Sequence, residues 1–149
     1  MVFTGFEREL LRSAVDHFSD AERIKTLDST IDKADGFENW FQVELIRALN
    51  EQGFHATVWN KTKHDADVVV SKDGQKKGVE LRCWKNSYSG DPVKSVISDH
   101  PTADLYLFLA QNSDRTDKML ADFKEKNLET MKKRIDSNWS LILAQRITT

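Results

Sequence analysis

Apolar residues recur at helical spacing through the first third of the chain. The first helical face carries Phe6, Leu10, Leu11, Ala14, Val15 and Phe18, and a weaker second helix carries Ile24, Leu27 and Ile31. Asp35 stands where the N-cap of a third helix is expected, over residues 36–52, and Gly53 ends that helix. Three helices are therefore predicted before any strand.

The pattern changes to strands after Gly53. Residues 54–59 alternate, residues 66–71 are rich in β-branched side chains, and Asp73-Gly74 is a hairpin turn signal that leads into a returning strand over 78–84. Pro92 opens a short helix, residues 104–110 form a buried strand, a helix extends from Met119 to Ile135, and the last strand covers 139–146. This order predicts one α/β domain with a mixed sheet in two or three layers.

The amino-acid composition excludes several classes of protein. The chain has 149 residues, of which 31% are charged and 39% hydrophobic, and its longest apolar run is far shorter than the roughly 20 residues of a membrane helix. Cys83 is the only cysteine, which excludes an internal disulfide and a thiolate zinc cage. We expect a cytoplasmic protein with no signal peptide and no membrane partner.

A net charge of −2 excludes a surface that is basic all over, so any polyanion site must be a local patch. The candidates for such a patch are Lys61, Lys63, His64, Lys76, Lys77, Lys85 and Lys94. The alternative for each is an ordinary solvated surface position.

The hairpin turn also predicts the register of its two strands. If Asp73 and Gly74 form the loop, Asp67 lies opposite Glu80 and Asp65 lies opposite Arg82. Directly paired residues point to one face, with Cβ atoms about 4.5–5.5 Å apart, so two carboxylates would repel there. A divalent cation held by both acids would compensate them. The alternative is a structural salt bridge from Arg82 to Asp65 or Asp67.

These residues resemble the motif of the PD-(D/E)xK nuclease superfamily. The resemblance rests on Asp67-Val68-Val69-Val70, a turn, and Val79-Glu80-Leu81-Arg82, after a helix ending Leu49-Asn50-Glu51-Gln52-Gly53-Phe54. It implies a restriction-endonuclease-like αβββαβ core over 36–110, with a mixed central sheet flanked by helices. Residues 1–35 would be an N-terminal helical extension and 111–149 an added helix and strand of the same single domain, 1–149.

The resemblance implies Mg²⁺ as the cofactor, with Mn²⁺ as a substitute. Asp67, Glu80 and the carbonyl of Leu81 would be its ligands. The implied activity is metal-dependent phosphodiester hydrolysis by a DNA endonuclease in repair, recombination or defence. Arg82 stands where the family usually has lysine; arginine cannot act as a base, but its guanidinium can bind a phosphate. Lys85 is a weaker substitute for that lysine.

The family often adds an acid from the first core helix. Helical spacing places Glu38 and Gln42 on the buried face and Glu44 well off it. The family's acid would fall near Gln42, and Glu38, one turn earlier, could reach the metal instead. Alternatively, Glu38 is a helix-start carboxylate favoured by the helix dipole, and Glu44 is an exposed surface residue.

The expected partner is nucleic acid, most simply DNA, contacted by Lys61, Lys63, His64 and Lys85, with Trp84 and Tyr88 able to stack on a base or to pack in the core. The alternative function is a catalytically inactive nuclease-fold module that binds nucleic acid or protein. The first two helices could cover the sheet, form a homodimer or bind a partner, and the sequence leaves these three roles open.

Overall fold

Eleven helices and strands are defined in the described part of the chain. The computed structural model describes residues 3–30, 34–59, 66–84, 92–99 and 101–147. The helices are α1 (Gly5–Phe18), α2 (Ala21–Thr30), α3 (Ala34–Glu51), α4 (Pro92–Asp99) and α5 (Asp114–Glu125). The strands are β1 (His55–Val58), β2 (Val68–Lys72), β3 (Gln75–Trp84), β4 (Leu105–Gln111), β5 (Leu128–Arg134) and β6 (Trp139–Arg146).

The strands form one mixed six-stranded sheet in the order β1-β2-β3-β4-β6-β5. Only β3 and β4 run parallel, and every other neighbouring pair is antiparallel. Alternate residues of the strands enter two separate apolar cores, one shared with α1, α2 and α3 and the other with α4 and α5. The predicted α/β class with a mixed sheet between helices is therefore confirmed.

The N-terminal helices cover one face of the sheet. Leu10 and Leu11 of α1 lie in the same core as Leu107 and Leu143 of the central strands. The Nζ of Lys77 on β3 lies 2.9 Å from Oε1 of Glu7, which is only 1% exposed. Of the three roles left open for these helices, covering the sheet is the one the structure shows. None of the helices in the described ranges has the length and apolar character needed to cross a membrane.

The hairpin between β2 and β3 has the predicted register. Asp73 and Gly74 both have positive φ, 52° and 82°, as a two-residue type I′ turn requires. Lys72 pairs with Gln75, and the ladder continues to Val68 paired with Val79. The β2 strand begins at Val68, so Asp67 lies one residue before it. Asp65, the predicted partner of Arg82, lies outside the described residues.

The start of α3 differs from the prediction, whereas its end agrees. The helix begins at Ala34, so Asp35 lies in its first turn and is not the residue that precedes it. Helix starts are poorly constrained by single capping residues, since Asp is also favoured in a first turn by the helix dipole. Gly53 has a φ of 90° directly after the helix, as the predicted stop requires.

The predicted helix from Met119 to Ile135 is wrong in its second half. The α5 helix ends at Glu125, and Asn127 has a φ of 61°, a left-handed conformation that asparagine tolerates better than most residues. The chain then forms β5, which pairs with β6 from Leu128 to Arg134. Apolar residues spaced by three, such as Leu128 and Met131, fit a helix by periodicity alone, but backbone pairing with β6 makes this segment a strand.

Candidate active site

Asp67 is held beside the middle of β3 by its side chain and by its backbone. Its Oδ2 accepts a hydrogen bond of 2.9 Å from the backbone N–H of Leu81. Its carbonyl accepts hydrogen bonds from the backbone N–H of Trp59, at 3.0 Å, and from Nε2 of Gln42, at 3.1 Å. The carboxylate of Asp67 thus binds the backbone N–H of Leu81, which lies beyond the last β2–β3 pair, Val68 with Val79.

Glu80 lies on the same face of the sheet and is almost fully buried. Its exposed fraction is 1%, and its position on β3 alternates with Val79 and Leu81, which enter the opposite core. Its carboxyl group faces that of Asp67, close enough for the two to interact electrostatically, and its Oε2 lies 2.8 Å from NH1 of Arg82. The two acids that the hairpin register places together are therefore in contact.

The environment of Glu80 favours its neutral form. Burial and the neighbouring Asp67 carboxylate raise the pKa of Glu80 from 4.5 to about 8, with a smaller contribution from Glu38, and Arg82 only partly offsets them. Without a bound cation, the neutral form of Glu80 is thus favoured near neutral pH, and its proton can be shared with the Asp67 carboxylate. The pair carries one negative charge between two carboxyl groups, and a cation that binds both must displace the proton.

Arg82 occupies the space between the two groups of β3 that the sequence nominated as metal ligands. Its NH1 lies 2.8 Å from Oε2 of Glu80 and donates a hydrogen bond of 3.2 Å to the carbonyl of Leu81. Its side chain remains 27% exposed, so the guanidinium also reaches solvent. The guanidinium therefore supplies a positive charge at this position. A metal ion bound to Glu80 and to the carbonyl of Leu81 would require the guanidinium to move aside.

The helix α3 contributes Glu38 and Gln42 to the same site. Oε1 of Glu38 accepts a hydrogen bond of 3.3 Å from the backbone N–H of Cys83, although Glu38 is an exposed residue. Gln42 binds the carbonyl of Asp67 and so links α3 to the start of β2. Spacing alone predicted that these two residues share the face that points to the strands, and the structure brings both of them to the acids.

The donor atoms fit a hard divalent cation. Carboxylate oxygens of Asp67 and Glu80 and the carbonyl oxygen of Leu81 are the ligand types that Mg²⁺ and Mn²⁺ favour. In the part of the chain that the structure describes, no three histidine, cysteine, aspartate or glutamate side chains form a group that could hold a metal ion. A cation here would therefore be bound by the carboxylates of Asp67 and Glu80 and by the carbonyl of Leu81. Glu38 lies nearby, where it accepts a hydrogen bond from the backbone N–H of Cys83.

Tyr106 and Arg146 extend this polar face and were missed in the sequence. Tyr106 pairs with Glu80 across the parallel β3 and β4 strands, and its hydroxyl accepts a hydrogen bond of 2.6 Å from NH2 of Arg146. Burial raises the pKa of Tyr106, and Arg146 partly offsets that rise while Glu80 and Asp104 add to it. The sequence did contain a signal for this pair. Tyr106 lies within an otherwise apolar strand, and a buried tyrosine hydroxyl needs a hydrogen-bond partner.

Other candidate residues have structural roles. The ring of Trp84 is largely buried and lies under the guanidinium of Arg115, which favours packing over base stacking. Burial, with a contribution from Glu38, raises the pKa of the Cys83 thiol well above its ordinary value, so this cysteine is not a ready nucleophile. Lys77 forms an ion pair with the buried Glu7.

Glu44 is not the exposed helix residue that the sequence indicated. Its Oε1 lies 3.0 Å from Nε2 of the buried His17 and 3.2 Å from Nε of Arg23. Burial alone would raise the pKa of Glu44, but the hydrogen bonds from His17 and Arg23 lower it. Glu44 therefore joins α1, α2 and α3 and lies apart from the acids at β3.

The predicted nucleic-acid contacts Lys61, Lys63, His64 and Lys85, together with Tyr88, lie outside the described residues. Comparisons with known proteins give no family assignment: no family model, no curated protein and no solved structure matches this chain. The resemblance to the PD-(D/E)xK nucleases thus rests on the chain's own motif, register and order of elements.

Proposed function

We propose that this protein is a Mg²⁺-dependent nuclease, most simply a DNA endonuclease, with Asp67 and Glu80 as its central acids. The observation that carries the proposal is the contact between these two carboxyl groups on one sheet face, beside the carbonyl of Leu81. Burying two acids together is costly unless something compensates them. The backbone N–H of Leu81 needs the Asp67 carboxylate alone, so a second buried acid beside it is left without a structural need, whereas a cation site uses both.

The order of elements supports the same proposal. From α3 to β4 the chain follows an α-β-β-β-α-β order around a mixed sheet, the order of a restriction-endonuclease-like core. The acids lie at the start of the second strand and in the middle of the third, as in the superfamily's motif. The remaining helices and strands would then be additions at both ends of that core.

Each residue of the site has a distinct chemical task in this proposal. Asp67, Glu80 and the carbonyl of Leu81 would hold the cation, which when bound activates water and offsets negative charge on the scissile phosphate. Gln42 fixes the backbone of Asp67 through its carbonyl. Arg82 would bind a phosphate oxygen through its guanidinium, because arginine side chains do not act as bases. Glu38 is the additional acid from the helix.

A second function is favoured by one specific observation. The guanidinium of Arg82 already bridges Glu80 and the Leu81 carbonyl, so the protein carries a cation of its own at this position. If Arg82 stays there, the domain keeps the architecture without hydrolysis and acts as a module that binds nucleic acid or protein. The two functions differ in whether a divalent cation displaces Arg82.

A cleavage assay separates the two functions. The wild-type chain is incubated with labelled single-stranded, duplex and branched DNA and with RNA, in Mg²⁺, Mn²⁺ or EDTA. We expect metal-dependent cleavage of at least one DNA substrate, abolished by Asp67→Asn and by Glu80→Gln. Glu125→Gln, which removes an exposed carboxylate of α5, is the matched control and should cleave like the wild type.

The variant Arg82→Lys tests the role of the arginine. Lysine lacks the planar fork that contacts Glu80 and Leu81 together, so we expect it to admit the cation more readily and to preserve or raise cleavage. No cleavage of any substrate by the wild type or by Arg82→Lys, with either metal, would contradict the nuclease proposal. It would leave the binding module as the function of this domain.

A further inference from the structure

A groove between α1 and β5 combines an apolar floor with a basic rim. This α1–β5 groove is lined by Arg8, Leu11, Arg12, Val15, Met131 and Lys133 and has a volume of about 290 Å³. Leu11 is buried, and the side chains of Val15 and Met131 are partly exposed in the groove. It lies on the α1 face of the sheet and does not include any of the acids at β3.

The charge of the groove is opposite to that of the chain as a whole. Among the residues that the structure describes, three cationic side chains and no acidic side chain line it, whereas the protein has a net charge of −2. Within the described ranges, neither Arg12 nor Lys133 forms an ion pair, and both are exposed. Glu129, on the same strand face, accepts a hydrogen bond of 3.1 Å from Gln145. The groove therefore offers the two exposed cationic side chains of Arg12 and Lys133.

The groove runs along an edge of the sheet. In the strand order, β5 is terminal and pairs with β6 alone among the described strands. The last three residues of β5, Lys132, Lys133 and Arg134, are exposed. An extended peptide could add to this edge through backbone hydrogen bonds while alternate side chains enter the groove.

We propose that the α1–β5 groove binds an extended acidic segment of a partner protein, with apolar side chains between its carboxylates. The apolar side chains would pack on Leu11, Val15 and Met131, and the carboxylates would pair with Arg12 and Lys133. A nucleic-acid backbone would use the cations but has no apolar side chains for the floor. This site goes beyond the proposed nuclease function and uses none of its residues.

Selection from a random peptide library tests the proposal directly. The immobilised full chain is panned against phage-displayed random dodecapeptides, in parallel with the double variant Arg12→Glu/Lys133→Glu. Lys118→Glu, an exposed charge reversal on α5 at the other face of the sheet, is the matched control. We expect the wild type and the control to enrich peptides in which Asp or Glu alternates with apolar residues.

Binding of one enriched peptide, measured by fluorescence anisotropy, then locates the site. The double variant should weaken it by about tenfold or more, because two exposed ion pairs become repulsions, and added salt should weaken it further. Lys118→Glu should leave the affinity unchanged. Circular dichroism checks that all variants are folded.

Four results would overturn the proposal, and the first three are no enriched consensus, a consensus without acidic residues, and equal binding by the double variant. The fourth is that no acidic peptide is selected, while the double variant weakens binding to a DNA duplex or to anionic vesicles. The groove would then be a surface that binds nucleic acid or a lipid membrane. None of these outcomes depends on metal binding or cleavage, so this site and the nuclease proposal fail independently.

Discussion

Replacing Glu80 by glutamine should make the protein more resistant to alkaline pH. Glutamine has nearly the shape of a protonated glutamate but never ionises, so it keeps the contact with Asp67 and avoids a second buried charge. Because the pKa of Glu80 is raised by folding, its contribution to stability is fully present below pH 4.5. It is lost as the pH rises through the folded value of about 8.

The size of the effect follows from the pKa. A rise from 4.5 to about 8 corresponds, at about 1.4 kcal/mol per pKa unit, to roughly 5 kcal/mol of lost stability once Glu80 is fully ionised. Glu80 is only 1% exposed, so solvent screens little of this cost. A small domain has a total stability of about 5–15 kcal/mol, so the loss is a large part of it.

Urea denaturation in EDTA from pH 5 to pH 9 measures this effect. The free energy of unfolding of Glu80→Gln should be close to that of the wild type at the acid end, exceed it increasingly towards pH 8 and level off above pH 8. Other acids titrate in both proteins and cancel in the difference. Glu125→Gln, at an exposed position, should follow the wild type at every pH.

Two outcomes would refute this reasoning. A difference between Glu80→Gln and the wild type that does not vary with pH would show that Glu80 is ionised throughout, held by Arg82. A wild type that is the more stable protein at pH 9 would show that the ion pair outweighs burial and repulsion. Because a cation held by both acids compensates their charge, Mn²⁺ added at pH 8 should restore stability to the wild type but not to Glu80→Gln.

Three further predictions concern single substitutions. Asp67→Asn should reduce the pH-dependent loss of stability, because the Asp67 carboxylate helps to raise the pKa of Glu80; an unchanged urea profile from pH 5 to pH 9 would contradict this. Glu44→Gln should lower stability at pH 7 by about 1–3 kcal/mol through its lost charged hydrogen bonds. That deficit should vanish as the pH falls through the lowered pKa of Glu44, and a deficit that persists in acid would count against the ionic origin. Asn127→Ala should cost about 1 kcal/mol because its φ is 61°, whereas Asn127→Gly should cost little; equal urea midpoints for the two would show no backbone strain.

The hairpin shows how far local sequence can determine a site. Asp73 and Gly74 tolerate the positive φ values of a two-residue turn, and this turn fixes the register from Lys72–Gln75 to Val68–Val79. That register places Asp67 and Glu80 on one face before any tertiary contact is considered. The helical spacing of Glu38 and Gln42 similarly predicts which side of α3 meets the strands.

Other features depend on contacts that the local pattern does not contain. The β5 strand has residues spaced as in a helix, and only its pairing with β6 decides its structure. The position of Arg82 between Glu80 and the Leu81 carbonyl depends on rotamers, not on spacing. Tyr106 and Arg146 are distant in sequence and become partners because β4 and β6 are neighbours.

Calorimetric titration with Mn²⁺ at pH 8 is the most direct test of the paired-acid site. The wild type and Glu125→Gln should bind the cation, whereas Asp67→Asn and Glu80→Gln should not. Because Glu80 must lose its proton, the heat measured below pH 8 should vary with the ionisation enthalpy of the buffer, which reports proton release. Absence of binding by the wild type at millimolar Mn²⁺, or equal binding by all four proteins, would contradict the assignment of Asp67 and Glu80 as metal ligands.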